Sequence, residues 1–274
     1  MPPLGYKVTT RFLETKDPVP GTEGTHTATI RQKKKKDGTD GDAYVYIKKL
    51  EEDTDATIER SAVFAELCAI MDSEDRSIFP KTRALRDTDG KIIGTVSRLA
   101  HGFEEARKWL GGIDEFSDEQ KKQMAAIKVA NYIFEEDDPH YGNWGRDRNG
   151  NIIKIDNDKA FRSLTDLTSP LDTLFRKIAD YDGINNTYAR TTAFKITTRD
   201  ISTLPLVHDT YRARWPIMAM PPDLSEPIGP KAIMNLTSDK KFEHYKYLNF
   251  IKFIFLSESQ IKSITDRHCS SFSA

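Results

Sequence analysis

Runs of β-branched and aromatic residues predict a small antiparallel sheet in the first hundred residues. Gly, Pro and Asp-Gly steps separate these runs and are typical of turns. The segment 14–26, which holds two prolines and two glycines, is predicted to be a loop, and Asp89-Gly90 a hairpin turn. The predicted strands are residues 6–13, 26–32, 43–50 and 91–100.

Helical spacing of apolar residues predicts one helix within this sheet region and further helices after it. Residues 57–71 place Val63, Leu67, Ile70 and Met71 on one face, with Glu66 beside them. Two capping boxes, Ser117 with Gln120 and Ser257 with Gln260, open later helices. The first of these runs to about residue 135 with Met124, Ile127, Asn131 and Phe134 on one face. An aromatic helix from about residue 239 packs Phe242, Tyr245, Leu248, Phe253 and Leu256 on a core.

Composition excludes several classes of protein. The formal net charge is −1 and the pI about 6.6, so the chain has no overall basic field for nucleic acid. Cys68 and Cys269 lie far apart, which argues against a disulfide framework and a structural zinc site. No segment predicts a signal peptide or a transmembrane helix. We therefore expect a cytoplasmic protein, or one delivered into a host cell without a cleaved signal.

The segment from Asp137 to Asp158 carries the chemistry. Asp138 precedes Asn143 by five residues, and Asp156 follows Asn143 by thirteen. Between them, two short strands around an Asn-Gly turn fold Asn143 back beside Asp156. Carboxylate and amide oxygens suit Mg²⁺, and a further carboxylate can take a proton from a hydroxyl, so this spacing indicates phosphoryl transfer.

This arrangement resembles the catalytic loop and metal-binding Asp of the protein-kinase-like superfamily. The loop Asp138-Pro139-His140-Tyr141-Gly142-Asn143 is most similar to that of phosphoinositide kinases and divergent bacterial effector kinases. The resemblance implies Asp138 as the base, His140 as a helper at the γ-phosphate, and Asn143 and Asp156 as ligands of Mg²⁺ or Mn²⁺. It also implies ATP as the phosphoryl donor.

The N-terminal half supplies matching parts in the order of that superfamily. Val45-Tyr46-Ile47-Lys48 resembles the strand whose lysine neutralises the α- and β-phosphates of ATP. The resemblance implies Glu66 as the partner that holds Lys48. It places Gly21 and Gly24 in a phosphate-covering loop. The segment from Ser97, with Arg98 and Leu99, would meet adenine.

The chain departs from the superfamily pattern at three points. Asp156 is followed by Asn157-Asp158 instead of Phe-Gly, which removes a regulatory Phe and adds a further candidate metal ligand. Tyr46 replaces the small residue expected under adenine. No segment for docking a peptide is recognisable after Asp158.

Several residues keep a simpler alternative. Asp137 competes with Asp138, and Lys49 with Lys48. Glu66 also fits an ordinary surface carboxylate, and His140 a hydrogen bond that closes the loop. The run Lys33 to Lys36 is typical of a solvated turn, and otherwise would attract a polyanion such as an inositol phosphate.

We therefore expect an α+β, two-lobed, protein-kinase-like fold. Residues 1–100 would form the small sheet lobe with one helix, and residues 101–274 a mainly helical lobe with the catalytic loop. The expected function is transfer of the γ-phosphoryl group of ATP to a hydroxyl, on a protein Ser or Thr. The alternatives are an inositol-lipid or small-molecule kinase and a nucleotide-binding pseudokinase or interaction module.

Overall fold

A computed structural model gives the fold. It describes residues 6–7, 12–18, 28–34, 37, 39–50, 54–72, 78–134, 136, 141–158, 160–161, 231–237 and 239–269. The strands within these residues are β1 (Tyr6–Lys7), β2 (Phe12–Pro18), β3 (Ala28–Lys34), β4 (Asp40–Lys48), β5 (Thr82–Arg86), β6 (Ile92–Arg98), β7 (Glu104–Glu105), β8 (Trp144–Arg146) and β9 (Ile152–Lys154). The helices within the same described residues are α1 (Asp55–Met71), α2 (Ala106–Trp109), α3 (Asp118–Ile133), α4 (Lys231–Thr237), α5 (Lys240–Ile254) and α6 (Glu258–His268), and a 3₁₀ turn spans Leu110–Gly112.

The first sheet has six strands in the order β1-β5-β6-β4-β3-β2. All neighbours are antiparallel except β1 and β5. The second sheet is a three-stranded antiparallel meander of β7, β8 and β9. The predicted α+β class, with mixed helix and antiparallel sheet, is confirmed. The division into two lobes near residue 100 stays a prediction.

The first sheet differs from the prediction at its edge. β2 continues through residues 14–18, which the sequence analysis assigned to a loop. Its register against β3 shifts between Leu13 and Lys16 and again before Pro18. An edge strand tolerates a proline because its outer N–H groups need no partner strand, and bulges absorb the mismatch. The predicted glycines Gly21 and Gly24 lie outside the described residues.

Helix α1 is buried along much of its length. Thr54 caps it by accepting a hydrogen bond from the Thr57 N–H at 3.2 Å. The predicted core positions Val63 and Leu67 are fully buried. Ile70, however, is 38% exposed, because Phe64 and Cys68 fill the core face instead. The helix packs mainly on β5 and on α6.

The later helices carry the predicted caps. In both capping boxes the serine hydroxyl accepts from the Gln N–H, and the Gln side chain accepts from the serine N–H. Phe242 and Phe253 of α5 are buried as predicted, but Leu248 is 41% exposed, because the face of α5 that packs on α3 does not include it. The long loops predicted after Asp158 lie outside the described residues.

Aromatic packing joins these elements. Phe64 of α1 makes edge contacts with Phe79 and Phe134, at centroid distances of 6.0 and 5.6 Å. Phe134 also meets Phe253 of α5 at 5.4 Å. One hydrophobic cluster therefore runs from α1 through α3 to the C-terminal helices. None of the described helices is both long enough and apolar enough to cross a membrane.

The second sheet depends on Gly145. A Cβ atom at this position would lie 2.1 Å from the Glu104 carbonyl oxygen of β7. We expect Gly145→Ala to lower the free energy of unfolding by about 1–3 kcal/mol, because backbone has to move to admit the methyl group. The melting temperature should fall by roughly 2–4 °C for each kcal/mol. Gly112→Ala is the control, since its Cβ would enter open space. Equal melting temperatures for the two variants would contradict this account of the sheet.

Candidate functional site

The predicted hairpin is present. β8 and β9 pair antiparallel, with Trp144 opposite Lys154 and Arg146 opposite Ile152. The Asp147 side chain closes the turn by accepting hydrogen bonds from the N–H groups of Asn149 and Asn151 at 2.8 and 2.9 Å. Gly150 has φ of +83°, a conformation that glycine adopts without strain. The short bend inferred from the sequence is confirmed.

The hairpin brings Asn143 next to the segment that holds Asp156. The Ile155 N–H donates to the Asn143 carbonyl oxygen at 2.8 Å. Asn143 therefore lies beside the residue that precedes Asp156. Its side chain is buried, whereas that of Asp156 is exposed, and both residues make further polar or electrostatic contacts. Their role as metal ligands stays a prediction.

Asp156 has a left-handed backbone, with φ of +53°. This conformation is uncommon for a residue with a side chain and persists where surrounding groups hold it. The Lys154 ammonium donates hydrogen bonds to the carbonyl oxygens of Ile155 and Asp156 at 2.8 and 2.5 Å. The buried lysine thus fixes the chain at the predicted metal ligand.

Charged side chains are buried near the Cys68 thiol of α1. The Lys154 and Glu136 side chains are both fully buried. Burial raises the pKa of the Cys68 thiol of α1 well above its usual range; the charge of Lys154 opposes this shift, and the charges of Glu136 and Asp72 add to it. Lys154 and Glu136 therefore both lie close enough to this thiol to act on it through their charges. These groups come from α1, from the segment after α3 and from the hairpin.

Asn157 supplies a further side-chain oxygen at the site, one that could bind a metal ion. Asn157 is only 6% exposed, yet its side-chain oxygen accepts no hydrogen bond from the residues that the structure describes. A buried amide oxygen without a partner costs free energy of about 1–3 kcal/mol, so such an atom calls for an explanation such as an ion or a water molecule. The sequence analysis had marked Asn157-Asp158 as an addition to the metal ligands.

Only the second half of the predicted catalytic loop, from Tyr141 to Asn143, lies within the described residues. Asp137, Asp138 and His140 lie outside the described residues, so their roles stay predictions. After the gap, Tyr141 is half-buried, and its carbonyl oxygen accepts from the Arg107 N–H at 3.4 Å. Burial raises the pKa of the Tyr141 hydroxyl to about 12. Tyr141 is therefore neutral at physiological pH.

Lys48 ends β4 opposite Gly94 of β6, and its side chain is exposed. A Cβ atom on Gly94 would lie 2.2 Å from the Ile47 carbonyl oxygen, so the two strands approach closely only because residue 94 is glycine. The competing Lys49 forms an ion pair with Asp55 at the start of α1. Of the two candidates, Lys48 is the one not engaged by that helix. Its role at the phosphates stays a prediction.

Glu66 contacts two arginines and a histidine instead of the lysine that was expected. Its carboxylate lies 2.8 Å from Arg83 of β5, and 2.6 and 2.5 Å from Arg267 and His268 of α6. Within the described part of the chain it forms no ion pair with Lys48. The expectation that Glu66 holds Lys48 is therefore not met in this structure. The physical reason is that α6 packs on α1 and supplies nearer cations.

These cations control the ionisation of Glu66. Burial raises the pKa of Glu66, but the hydrogen bond with His268 and the charges of Arg83, His268 and Arg267 outweigh it and lower the pKa to about 2. Burial lowers the pKa of His268, and its bond to Glu66 opposes that shift. Glu66 is thus ionised at all physiological pH values and binds α1 to β5 and α6.

The predicted adenine-facing segment begins where β6 ends. The Arg98 N–H donates to the Lys81 carbonyl oxygen, and the Leu99 N–H to that of Ala43, both at 3.0 Å. Arg98 is exposed and Leu99 half-buried. Their contact with a nucleotide stays a prediction. The predicted polyanion contact of Lys33 to Lys36 depends on side chains that lie outside the described residues.

Sequence analysis missed Phe161. It is 1% exposed, lies five residues after Asp156, and its ring is 6.4 Å from Phe64 and 5.4 Å from Phe134. Its N–H also bonds to the Phe134 carbonyl oxygen. Arg60 of α1 donates to the carbonyl oxygen of the preceding Ala160 at 3.2 Å. No Phe follows Asp156 directly, as the sequence analysis states, but Phe161 supplies an aromatic ring to the core five residues later. An aromatic residue following the acidic segment was the available signal.

No protein-family profile matches the chain. A search of curated proteins by sequence also found no significant match. Among solved structures, the chain is similar to the proinflammatory kinase CtkA of Helicobacter pylori, with 10% identity and a TM-score of 0.42. The alignment covers 95% of this chain and 98% of that one. A likeness of this size does not by itself assign a fold or a function.

The ion pairs of Glu66 predict a pH dependence of stability. The folded pKa of about 2 lies below the ordinary value of 4.5, so the ionised carboxylate stabilises the fold above about pH 4.5, and this contribution is lost as the pH falls towards 2. We expect Glu66→Gln to lower the melting temperature at pH 6, with a difference from the unmutated protein that narrows between pH 4.5 and 2. Glu119→Gln is the control, because Glu119 pairs only at the surface with Lys122. A difference that is the same at every pH would refute the assignment.

Proposed function

We propose that this protein is an ATP- and Mg²⁺-dependent kinase that transfers the γ-phosphoryl group to a hydroxyl. The observation that carries the proposal is the hydrogen bond from Ile155 to Asn143, which sets the predicted amide ligand next to the predicted carboxylate ligand Asp156. The two residues are thirteen positions apart in sequence, and the hairpin between them brings them together. A phosphotransferase requires ligands placed together in this way to hold its metal ion.

The residues at the site fit a hard divalent cation. Asn143 and Asp156 supply amide and carboxylate oxygens, and Asn157 has a buried side-chain oxygen that accepts no hydrogen bond from the described residues. These three residues would hold Mg²⁺, or Mn²⁺ in its place. When bound, the ion would neutralise charge on the triphosphate. The donor set contains no soft ligand, which argues against zinc.

The remaining predicted parts divide the work on the substrate. Asp138 would orient the acceptor hydroxyl and take its proton. Lys48, at the end of β4, would neutralise the α- and β-phosphates, and His140 would contact the γ-phosphate. Arg98 and Leu99 would border adenine. The strand order of the first sheet supports this arrangement, because β4, which holds Lys48, and β6, which holds Arg98, are neighbours. Lys48 lies opposite Gly94 and Arg98 opposite Tyr44.

For the acceptor, we propose the hydroxyl of a protein Ser or Thr. The Asp138-Pro139-His140 loop makes an inositol lipid or a small molecule the alternative acceptor. All three acceptors require the same ligands for the metal, so they differ only in what lies beside Asp138. A cytoplasmic location, or delivery into a host cell, is part of the proposal.

A second candidate is a nucleotide-binding protein that has lost turnover. It is favoured by one observation: Glu66 is engaged by Arg83, Arg267 and His268, and Lys48 has no ion pair with it in the described residues. Without a carboxylate to hold it, Lys48 would be poorly placed for the phosphates. Phosphoryl transfer measured beside nucleotide binding separates this candidate from the kinase.

Replacement of Asp156 tests the metal site. We expect Asp156→Ala to abolish the rise in melting temperature that Mg²⁺ with a non-hydrolysable ATP analogue gives to the unmutated protein, because a charged ligand is lost. Asp266→Ala is the control, since Asp266 is an exposed carboxylate of α6 that pairs with Lys262. An undiminished Mg²⁺-dependent rise in Asp156→Ala would show that the ion is held elsewhere.

Replacement of Asp138 tests the chemistry. We expect Asp138→Ala to bind the nucleotide as before and to lose transfer by about 100-fold or more, because general-base catalysis contributes at least that much. Transfer is measured from γ-labelled ATP to protein and inositol-lipid panels, which also identifies the acceptor class. Transfer at the unmutated rate would remove Asp138 from the mechanism. Binding without transfer in the unmutated protein would favour the pseudokinase.

A further inference from the structure

Lys154 is a fully buried lysine in the last position of β9. Lysine is seldom fully buried, because its ammonium loses its hydration unless other groups replace the water. Here the replacement comes from two backbone carbonyls, those of Ile155 at 2.8 Å and Asp156 at 2.5 Å. The lysine backbone is held as well, because its N–H donates to the Ile78 carbonyl oxygen at 2.8 Å. The backbone and the ammonium group of Lys154 are therefore both held by hydrogen bonds.

These two carbonyls belong to the peptide groups on either side of the Asp156 Cα atom. When both peptide groups are fixed, the φ and ψ angles of Asp156 are fixed with them. The φ of Asp156 is +53°, a left-handed value that a residue with a side chain does not favour. The hydrogen bonds of the ammonium therefore oppose the relaxation of Asp156 to an ordinary conformation. The direction of its carboxylate depends on the same angles.

A buried charge is costly even when it is hydrogen bonded. Replacing a buried charge together with its partners by apolar residues is often neutral or stabilising, so the need for stability does not by itself account for a buried lysine. Glu136, which is also fully buried and comes just before the predicted catalytic loop, acts through its charge on the same Cys68 thiol as Lys154 does.

We propose that Lys154 is a positioning residue of the Mg²⁺ site, whose buried ammonium holds the two peptide groups around Asp156 so that its carboxylate can bind the ion. This inference rests on the proposed function, since it assumes that Asp156 is a metal ligand. Lys154 itself touches neither metal nor substrate. Partners that orient metal ligands typically change metal affinity about 10–100-fold when they are removed.

The first test is Lys154→Met, which keeps the length of the side chain and removes the ammonium. We expect the affinity for Mn²⁺, measured by electron paramagnetic resonance with a non-hydrolysable ATP analogue, to fall about 10–100-fold. Binding of the analogue without metal should stay unchanged, and excess Mg²⁺ should restore the thermal shift. General loss of structure would give neither of these results. A folded Lys154→Met protein with unchanged Mn²⁺ affinity would overturn the proposal.

Lys121→Met is the matched control. Lys121 of α3 forms an ion pair with Asp239 before α5, so the same substitution removes a half-buried cation away from the hairpin. We expect it to change the melting temperature and to leave Mn²⁺ affinity as it is. An equal loss of Mn²⁺ affinity in both variants would mean that the effect is general and would also overturn the proposal.

The second test uses the unmutated chain, so it stands even if Lys154→Met does not fold. Nitrogen-15 NMR of lysine ammonium groups should show a signal with slow hydrogen exchange from Lys154, assigned through its bonded carbons. We expect Mg²⁺, added with the ATP analogue, to shift this signal in the unmutated protein and not in Asp156→Ala. A Lys154 signal that does not respond in the unmutated protein would contradict the proposed coupling.

The two proposals fail in different ways. If the unmutated protein shows no Mg²⁺-dependent nucleotide binding, the proposed function fails and the role of Lys154 fails with it. If the unmutated protein binds, Asp156→Ala does not, and Lys154→Met binds like the unmutated protein, only the positioning role is lost.

Discussion

The contact on which the rest of the structure depends is the packing of Phe64, in the middle of α1, against three other buried rings. Phe79 comes just before β5, Phe134 just after α3, and Phe161 after the predicted metal segment. Because the rings interlock at centroid distances of 5.6 to 6.4 Å from Phe64, one cannot move unless the others repack. Apolar packing therefore holds α1 against the segments that precede and follow the candidate site in the chain.

Buried charges act inside this apolar frame. Glu59 of α1 is fully buried and pairs with Arg86, Glu66 pairs with cations from β5 and α6, and Lys154 bonds to two carbonyls. Each charge loses hydration, so these pairs contribute less to stability than the rings do. What they add is directional: Glu66 links α1 to β5 and α6, and Lys154 bonds to the peptide groups on both sides of the Asp156 Cα atom. Removing Glu66 would leave its cationic partners without a carboxylate, and removing Lys154 would leave two carbonyl oxygens without their hydrogen-bond donor.

The features that the sequence analysis found are those formed by neighbouring residues. The Asn149-Gly150 turn and the two Ser-Gln capping boxes use hydrogen bonds between groups at most four positions apart, so residue type alone predicts them. The nearness of Asn143 to Asp156 follows from counting residues across that turn. The exposure of Ile70 and Leu248 was not predicted. Helical spacing defines an apolar face, but it does not say how much of that face a neighbouring element covers.

The sequence by itself determined the main strands and helices, the caps and the hairpin, because short-range hydrogen bonds and side-chain spacing encode them. Only the tertiary structure decided the partners of Glu66, the burial of Lys154 and the use of Phe161. Glu66 and His268 are 202 positions apart, and no local pattern specifies such a pair. Which charges and rings meet across that distance depends on how the helices pack, and packing is a property of the whole folded chain.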